Sequence, residues 1–114
     1  MSMRNVLTSS IKRMRKTENL LRLLDETTLD VCLVCEEESW LLSLNGDTIS
    51  IAPYEDEKSE VTITGEQEAM HSLFMGDDFL LSMKKRGDLA VSGRLKHILL
   101  LESLWYLSRG LKSS

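Results

Sequence analysis

Two cysteines, Cys32 and Cys35, stand in a Cys-x-x-Cys spacing. On a turn or a helix start that spacing serves thiol–disulfide exchange, or supplies half of a zinc site. Here the pair lies inside Val31-Cys32-Leu33-Val34-Cys35, a β-branched apolar run of strand length. Residues three apart on a strand point to opposite faces, so the thiols diverge. The chain holds no second cysteine pair to complete a zinc site. Both thiols are expected to be structural and reduced.

His71 and His97 are the only histidines. Neither sits in a His-x-x-x-His spacing or beside a nucleophile signature, and both are expected on the surface. The acidic clusters Glu36-Glu37-Glu38 and Glu55-Asp56-Glu57 lack the alternation of a calcium loop. The glycines are too widely spaced for a phosphate cradle. The chain is therefore read as having no catalytic residue, no metal site and no cofactor.

Two other groups of residues point to surfaces rather than to reactions. Lys12, Arg13, Arg15 and Lys16 lie largely off the apolar stripe of the first segment. A helix of that kind can rest on an anionic bilayer, or it can dock on a sheet with its charges in water. Phe74, Met75, Phe79, Leu80 and Met83 form an apolar cluster whose unbranched methionines suit an adaptable pocket wall as well as a core.

Charge is unevenly distributed along the 114 residues, whose net charge is -4. Residues 1–24 hold six basic groups and one acid, residues 25–78 one basic group and fifteen acids, and residues 79–114 seven basic groups and two acids. Aromatic residues make up only 5% of the chain, which argues against a base-stacking platform and against nucleic acid as a partner. No apolar run is long enough to span a bilayer, and no signal peptide is evident at Met1-Ser2-Met3-Arg4-Asn5. A cytoplasmic protein is expected, folded as a single domain over residues 1–114.

The elements that must position these residues follow from periodicity. Leu7, Ile11, Met14, Leu21 and Leu24 predict a helix over 6–25. Asn45-Gly46 between two apolar runs predicts a hairpin, with Leu42 opposite Ile49 and Trp40 opposite Ile51. Val61–Gly65 alternates as a half-buried strand. Residues 66–75 form a helix ending at Gly76, with Thr64 as a candidate cap. A short helix capped by Asp77 or Asp78 runs to Gly87, and a strand spans 88–93. The final helix, 94–109, stops at Gly110.

That last helix is apolar around most of its circumference. Leu95, Ile98, Leu99, Leu100, Leu101, Leu104, Trp105 and Leu107 do not fit one stripe. It needs cover on two sides: the sheet, and a second partner such as another helix, a second subunit or an apolar ligand.

This order of segments, with Glu60-Val61-Thr62-Ile63-Thr64-Gly65, Leu73-Phe74-Met75-Gly76 and Lys85-Arg86-Gly87-Asp88-Leu89-Ala90-Val91-Ser92-Gly93, resembles the sterol carrier protein domain family over about residues 5–111. The resemblance implies an α+β fold: a five-stranded, mostly antiparallel sheet with helices packed on one face. It also implies an apolar tunnel between sheet and helices that carries a fatty acyl chain, a sterol or another lipid, with no covalent chemistry. The expected wall is Leu73, Phe74, Phe79, Leu80, Met83, Leu101, Leu104 and Trp105. Two features depart from the family: Arg94 stands where a polar Asp or Asn is common, and Lys112-Ser113-Ser114 is not a peroxisomal tripeptide.

An empty apolar tunnel of about 300 Å³ would cost on the order of 7 kcal/mol. That approaches the whole stability of a small domain, about 5–15 kcal/mol. The tunnel is therefore collapsed, wet or filled. The expected function is lipid carriage, with a lipid or fatty acid as partner and with transient contact to an anionic membrane through Lys12, Arg13, Arg15 and Lys16. The alternative is a homodimeric interaction module of the same fold, paired through the last helix.

Overall fold

The computed structural model describes residues 3–17, 22, 24, 26–36, 38–46, 48–55 and 58–109. Helix α1 (Met3–Arg15) begins before the expected Val6 and stops short of the expected Asp25. Its end has a local cause. The Thr17 hydroxyl donates back to the Arg13 carbonyl at 2.9 Å, and the Lys16 N–H donates to the same carbonyl. A side chain and a tightened last turn thus take up the terminal acceptor. Met3, Val6, Leu7, Ile11 and Met14 form the buried stripe, and Leu24 is buried beyond the helix. Leu21, expected on the same stripe, lies outside the described residues, as does Gly110.

Strands β1 (Thr28–Cys35), β2 (Glu38–Asn45), β3 (Thr48–Pro53), β4 (Val61–Gly65) and β5 (Leu89–Ser92) form one sheet in the order β3-β2-β1-β4-β5. Every neighbouring pair is antiparallel except β1 with β4, which is parallel, so the sheet is mixed. Helices α2 (Gln67–Phe74), α3 (Leu80–Arg86) and α4 (Leu95–Leu107) complete the α+β fold. Leu29, Val31, Leu33, Leu42, Leu44, Ile49, Val61, Ile63 and Leu89 share one face and join the buried residues of the helices in a single core.

The hairpin register differs from the expected one. Leu44 pairs with Ile49, Leu42 with Ile51 and Trp40 with Pro53, and the closing pair is Asn45 with Thr48. Gly46 takes the left-handed φ of +63° that the turn requires. The slip is two residues, and an even slip leaves every side chain on its face. It also sets Leu44 opposite a β-branched apolar residue, whereas the expected register had it opposite Asp47.

Two expected caps are not used. Thr64 stays in β4 opposite Ala90, and Glu66 precedes α2 in extended conformation with no side-chain cap. Phe79 holds the cap position of α3, while Asp78 accepts the Phe79 N–H at 2.9 Å from one residue earlier. The C-terminus of α3 closes as its Lys84-Lys85-Arg86-Gly87 sequence predicts. Gly87 is left-handed at φ +85°, its N–H donates to the Lys84 carbonyl, and the Asp88 N–H donates to that of Met83.

Helix α4 buries Ile98, Leu101, Leu104 and Trp105 against the core. Leu95, Leu99 and Leu107 remain 59%, 41% and 49% exposed. The apolar excess of this segment is therefore covered on one side by the protein itself and faces outward on the other.

Candidate functional site

Seven of the eight expected wall residues lie together. Leu73 and Phe74 come from α2, Leu80 and Met83 from α3, and Leu101, Leu104 and Trp105 from α4, all buried over the apolar sheet face. The rings of Phe74 and Trp105 sit 5.5 Å apart at 39°. Met3, Met14 and Met70 are also buried in this layer. Thioethers on unbranched stems let such a layer repack around a guest more readily than β-branched side chains do. The buried indole N–H of Trp105 and the buried hydroxyl of Ser10 have no hydrogen-bond partner among the described residues. Phe79 is separate from this group: it is 44% exposed and stacks on Tyr106 at 5.0 Å.

A second constellation lies at the sheet edge. Arg4, Thr8, Lys12 and Arg15 recur at three- and four-residue steps, which places them on one stripe of α1. With Ile11, Ser50 and Ile51 they line a groove of about 330 Å³ between α1 and β3. Ile11 belongs to the core and Ile51 packs on it, so the floor of the groove is the core itself. The Arg15 guanidinium donates to the Ile49 carbonyl. That of Arg4 lies 5.8 Å from the centre of the Trp40 ring. Among the described residues, no carboxylate lines the groove.

The four basic residues expected at a membrane surface therefore have different surroundings. Lys12 and Arg15 line the groove, Lys16 is exposed, and Arg13 turns inward to the Phe74 carbonyl at 2.8 Å. Burial pulls the Arg13 pKa down, with nearby Asp77 opposing it. Sequence reasoning missed Arg4 and Thr8. Their spacing to Lys12 and Arg15 was the available signal, but β3 as the opposite wall was not visible in it.

On the far side of the molecule an open groove of about 820 Å³ is lined mainly by polar groups, including Glu66, Glu68, His71, Asp78 and Asp88. Met83 is the one expected wall residue that reaches it. Asp78 and Asp88 both pair with Arg86 there. The hydrogen bond from Arg86 holds the Asp78 carboxyl below the usual carboxylate range. Among the described residues, no group of three or more His, Cys, Asp or Glu side chains could hold a metal ion.

Cys32 and Cys35 are buried thiols that belong to opposite faces of β1. Burial, followed by the charges of Glu36 and Glu38, pushes the Cys35 pKa up. A raised pKa leaves less thiolate at neutral pH, which is unfavourable for nucleophilic or redox chemistry. Among the described residues, no helix is long and apolar enough to cross a membrane.

No family model and no curated protein matches the chain. Several solved structures do. A UbiJ-SCP2 ubiquinone synthesis protein aligns with a TM-score of 0.70 at 14% identity, over 95% of each chain. The sterol carrier protein domain 2 of Helicoverpa armigera aligns at 0.66 and 18% identity, over 86% of this chain and 80% of that one. The palmitated SCP2L2 of Aedes aegypti aligns at 0.55 and 14% identity, over 82% of this chain and 91% of that one. These likenesses cover 82–95% of the chain and give it the fold of the sterol carrier protein domain.

Proposed function

We propose that the protein binds a single-chain amphiphile with an anionic end, of the fatty-acid class, and carries it without covalent chemistry. The observation that supports this reading best is the groove between α1 and β3. It has three cationic side chains, no lining carboxylate among the described residues, and a floor that is the apolar core. In this reading Arg4, Lys12 and Arg15 hold the anionic end through charge-assisted hydrogen bonds. The chain enters beneath α1 and lies against Leu73, Phe74, Leu80, Met83, Leu101, Leu104 and Trp105, which part to admit it. Each buried methylene contributes about 0.8 kcal/mol toward that repacking. The palmitated state of the Aedes aegypti relative supports an acyl chain as the guest.

The test is titration of delipidated protein with an anthroyloxy-labelled stearate, with native mass spectrometry of the protein as purified. Saturable one-to-one binding is expected, weakened about ten-fold or more when Lys12 and Arg15 are both changed to Gln. The methyl ester of the same probe should bind the wild type more weakly than the acid. Absence of saturable binding, together with absence of any copurifying lipid, would overturn the reading.

A further inference from the structure

Three of the four exposed large apolar residues of the C-terminal part, Phe79, Leu95 and Leu99, gather on one side, while Leu107 falls off their line. On α4, Leu95, Leu99 and Tyr106 fall on a single stripe at steps of four and seven, with the half-buried Glu102 on the same stripe between Leu99 and Tyr106. Phe79, just before α3, stacks on Tyr106 and extends that stripe sideways. Helix α3 runs antiparallel beside it: Phe79 meets Tyr106, and the Leu81 N–H donates to Glu102 at 3.0 Å. Phe79, Leu95 and Leu99 are 44%, 59% and 41% exposed. The ridge is about 16 Å long, since α-helical rise is about 1.5 Å per residue.

Cations border this ridge. Lys84 and Lys85 are exposed on α3, Arg94 and Lys96 at the start of α4, and the Arg109 guanidinium lies 3.9 Å from the Tyr106 ring centre. Three carboxylates, Asp78, Asp88 and Glu102, lie in the same region against the six cations Lys84, Lys85, Arg86, Arg94, Lys96 and Arg109. Asp78 and Asp88 pair with Arg86, and Glu102 accepts the Leu81 N–H. A largely apolar ridge with a net basic border fits a surface that offers hydrocarbon below a layer of anionic headgroups.

We infer that the α3–α4 ridge is a docking surface for an anionic lipid bilayer, with Phe79, Leu95 and Leu99 entering the headgroup boundary and Lys84, Lys85, Arg94 and Lys96 facing the phosphates. A second copy of the chain fits this surface less well. A two-fold contact would bring the net basic borders of both copies together. Three partly exposed side chains also fall far short of the roughly 800 Å² per partner that a stable interface buries. The inference stands apart from the identity of the carried ligand, because docking needs only the bilayer.

The experiment uses the full chain and sedimentation with vesicles of phosphatidylcholine alone or mixed equally with phosphatidylglycerol. Binding is expected to the mixed vesicles only, and to fall as salt is raised. Leu95→Ser with Leu99→Ser should weaken it at least ten-fold. Lys84→Glu with Lys85→Glu should weaken it at least as much, since each basic group near such a surface is worth about five-fold. All four positions are exposed, and thermal unfolding by circular dichroism verifies that the variants fold. Leu95→Trp should show a blue-shifted emission on mixed vesicles and none on phosphatidylcholine. The inference is overturned if the wild type ignores mixed vesicles. It is equally overturned if Lys12→Glu with Lys16→Glu abolishes binding while the ridge variants retain it, which would move the membrane face to α1. A wild-type dimer that becomes monomeric with Leu95→Ser and Leu99→Ser would assign the ridge to a second copy. Loss of vesicle binding with intact stearate binding would leave the proposed ligand unaffected.

Discussion

The guanidinium of Arg13 donates to the main-chain carbonyl of Phe74 at 2.8 Å, joining two residues 61 apart in sequence. Phe74 is the last residue of α2, so its carbonyl is one of those a helix end leaves without an internal partner. The charge also opposes the negative end of the helix dipole. The bond ties α1 to α2 over the layer in which the lipid is proposed to lie.

Arg13→Ala should therefore cost about 1.5 kcal/mol, the value of a hydrogen bond from a charged donor. Urea unfolding followed by circular dichroism measures it. Arg13→Lys should recover part of the loss, because an ammonium supplies the charge without the planar fork. A cost no larger than that of Lys16→Ala, at an exposed neighbour, would show that the bond does not tie the helices together.

Gly76 and Gly87 both take positive φ, at +75° and +85°, yet their surroundings differ. A Cβ at Gly76 would lie 2.6 Å from the Arg109 Cβ and 2.8 Å from the Trp105 carbonyl oxygen, whereas at Gly87 it would meet nothing within 4 Å. Gly87→Ala should cost about 1 kcal/mol, the left-handed penalty alone. Gly76→Ala adds a clash with the end of α4 and should cost about 2–4 kcal/mol. Equal unfolding midpoints for the two variants would contradict this.

Arg86 holds the Asp78 carboxyl below its ordinary pKa through a hydrogen bond. A depressed carboxylate pKa contributes stability that is present above the unfolded value. That contribution disappears as pH falls through the folded one. Asp78 and Arg86 are partly solvated, so the effect is small and falls with added salt. Unfolding midpoints measured from neutral pH down to about pH 2.5 should decline less steeply in Asp78→Asn than in the wild type. Parallel curves would mean that Asp78 takes no part in the acid response.

Cys32 and Cys35 should react with a thiol reagent such as dithionitrobenzoate only as fast as the native state opens. Both are buried, and Cys35 has its pKa raised. In urea two thiols per chain should react promptly. Rapid reaction of the native protein, or recovery of an intramolecular disulfide after mild oxidation, would contradict their placement on opposite faces of β1.

Local order was legible wherever one element carries its own signal. The two-residue period of Val61–Gly65 marked β4, Gly87 after three cations marked the end of α3, and the apolar face of the hairpin survived a two-residue slip in register. The surplus leucine of α4 was visible as a helix with too many apolar sides. Tertiary structure decided what depends on a distant surface. The parallel pairing of β1 with β4 placed Cys32 and Cys35 in mid-sheet. The approach of β3 turned a stripe of α1 into a groove, and Arg13 left its basic neighbours for a carbonyl in α2. The packing of α3 on α4 selected which leucines stay outside. The physical reason is that periodicity records how a segment divides its own faces, whereas partner, register and exposure depend on which other segment meets that face.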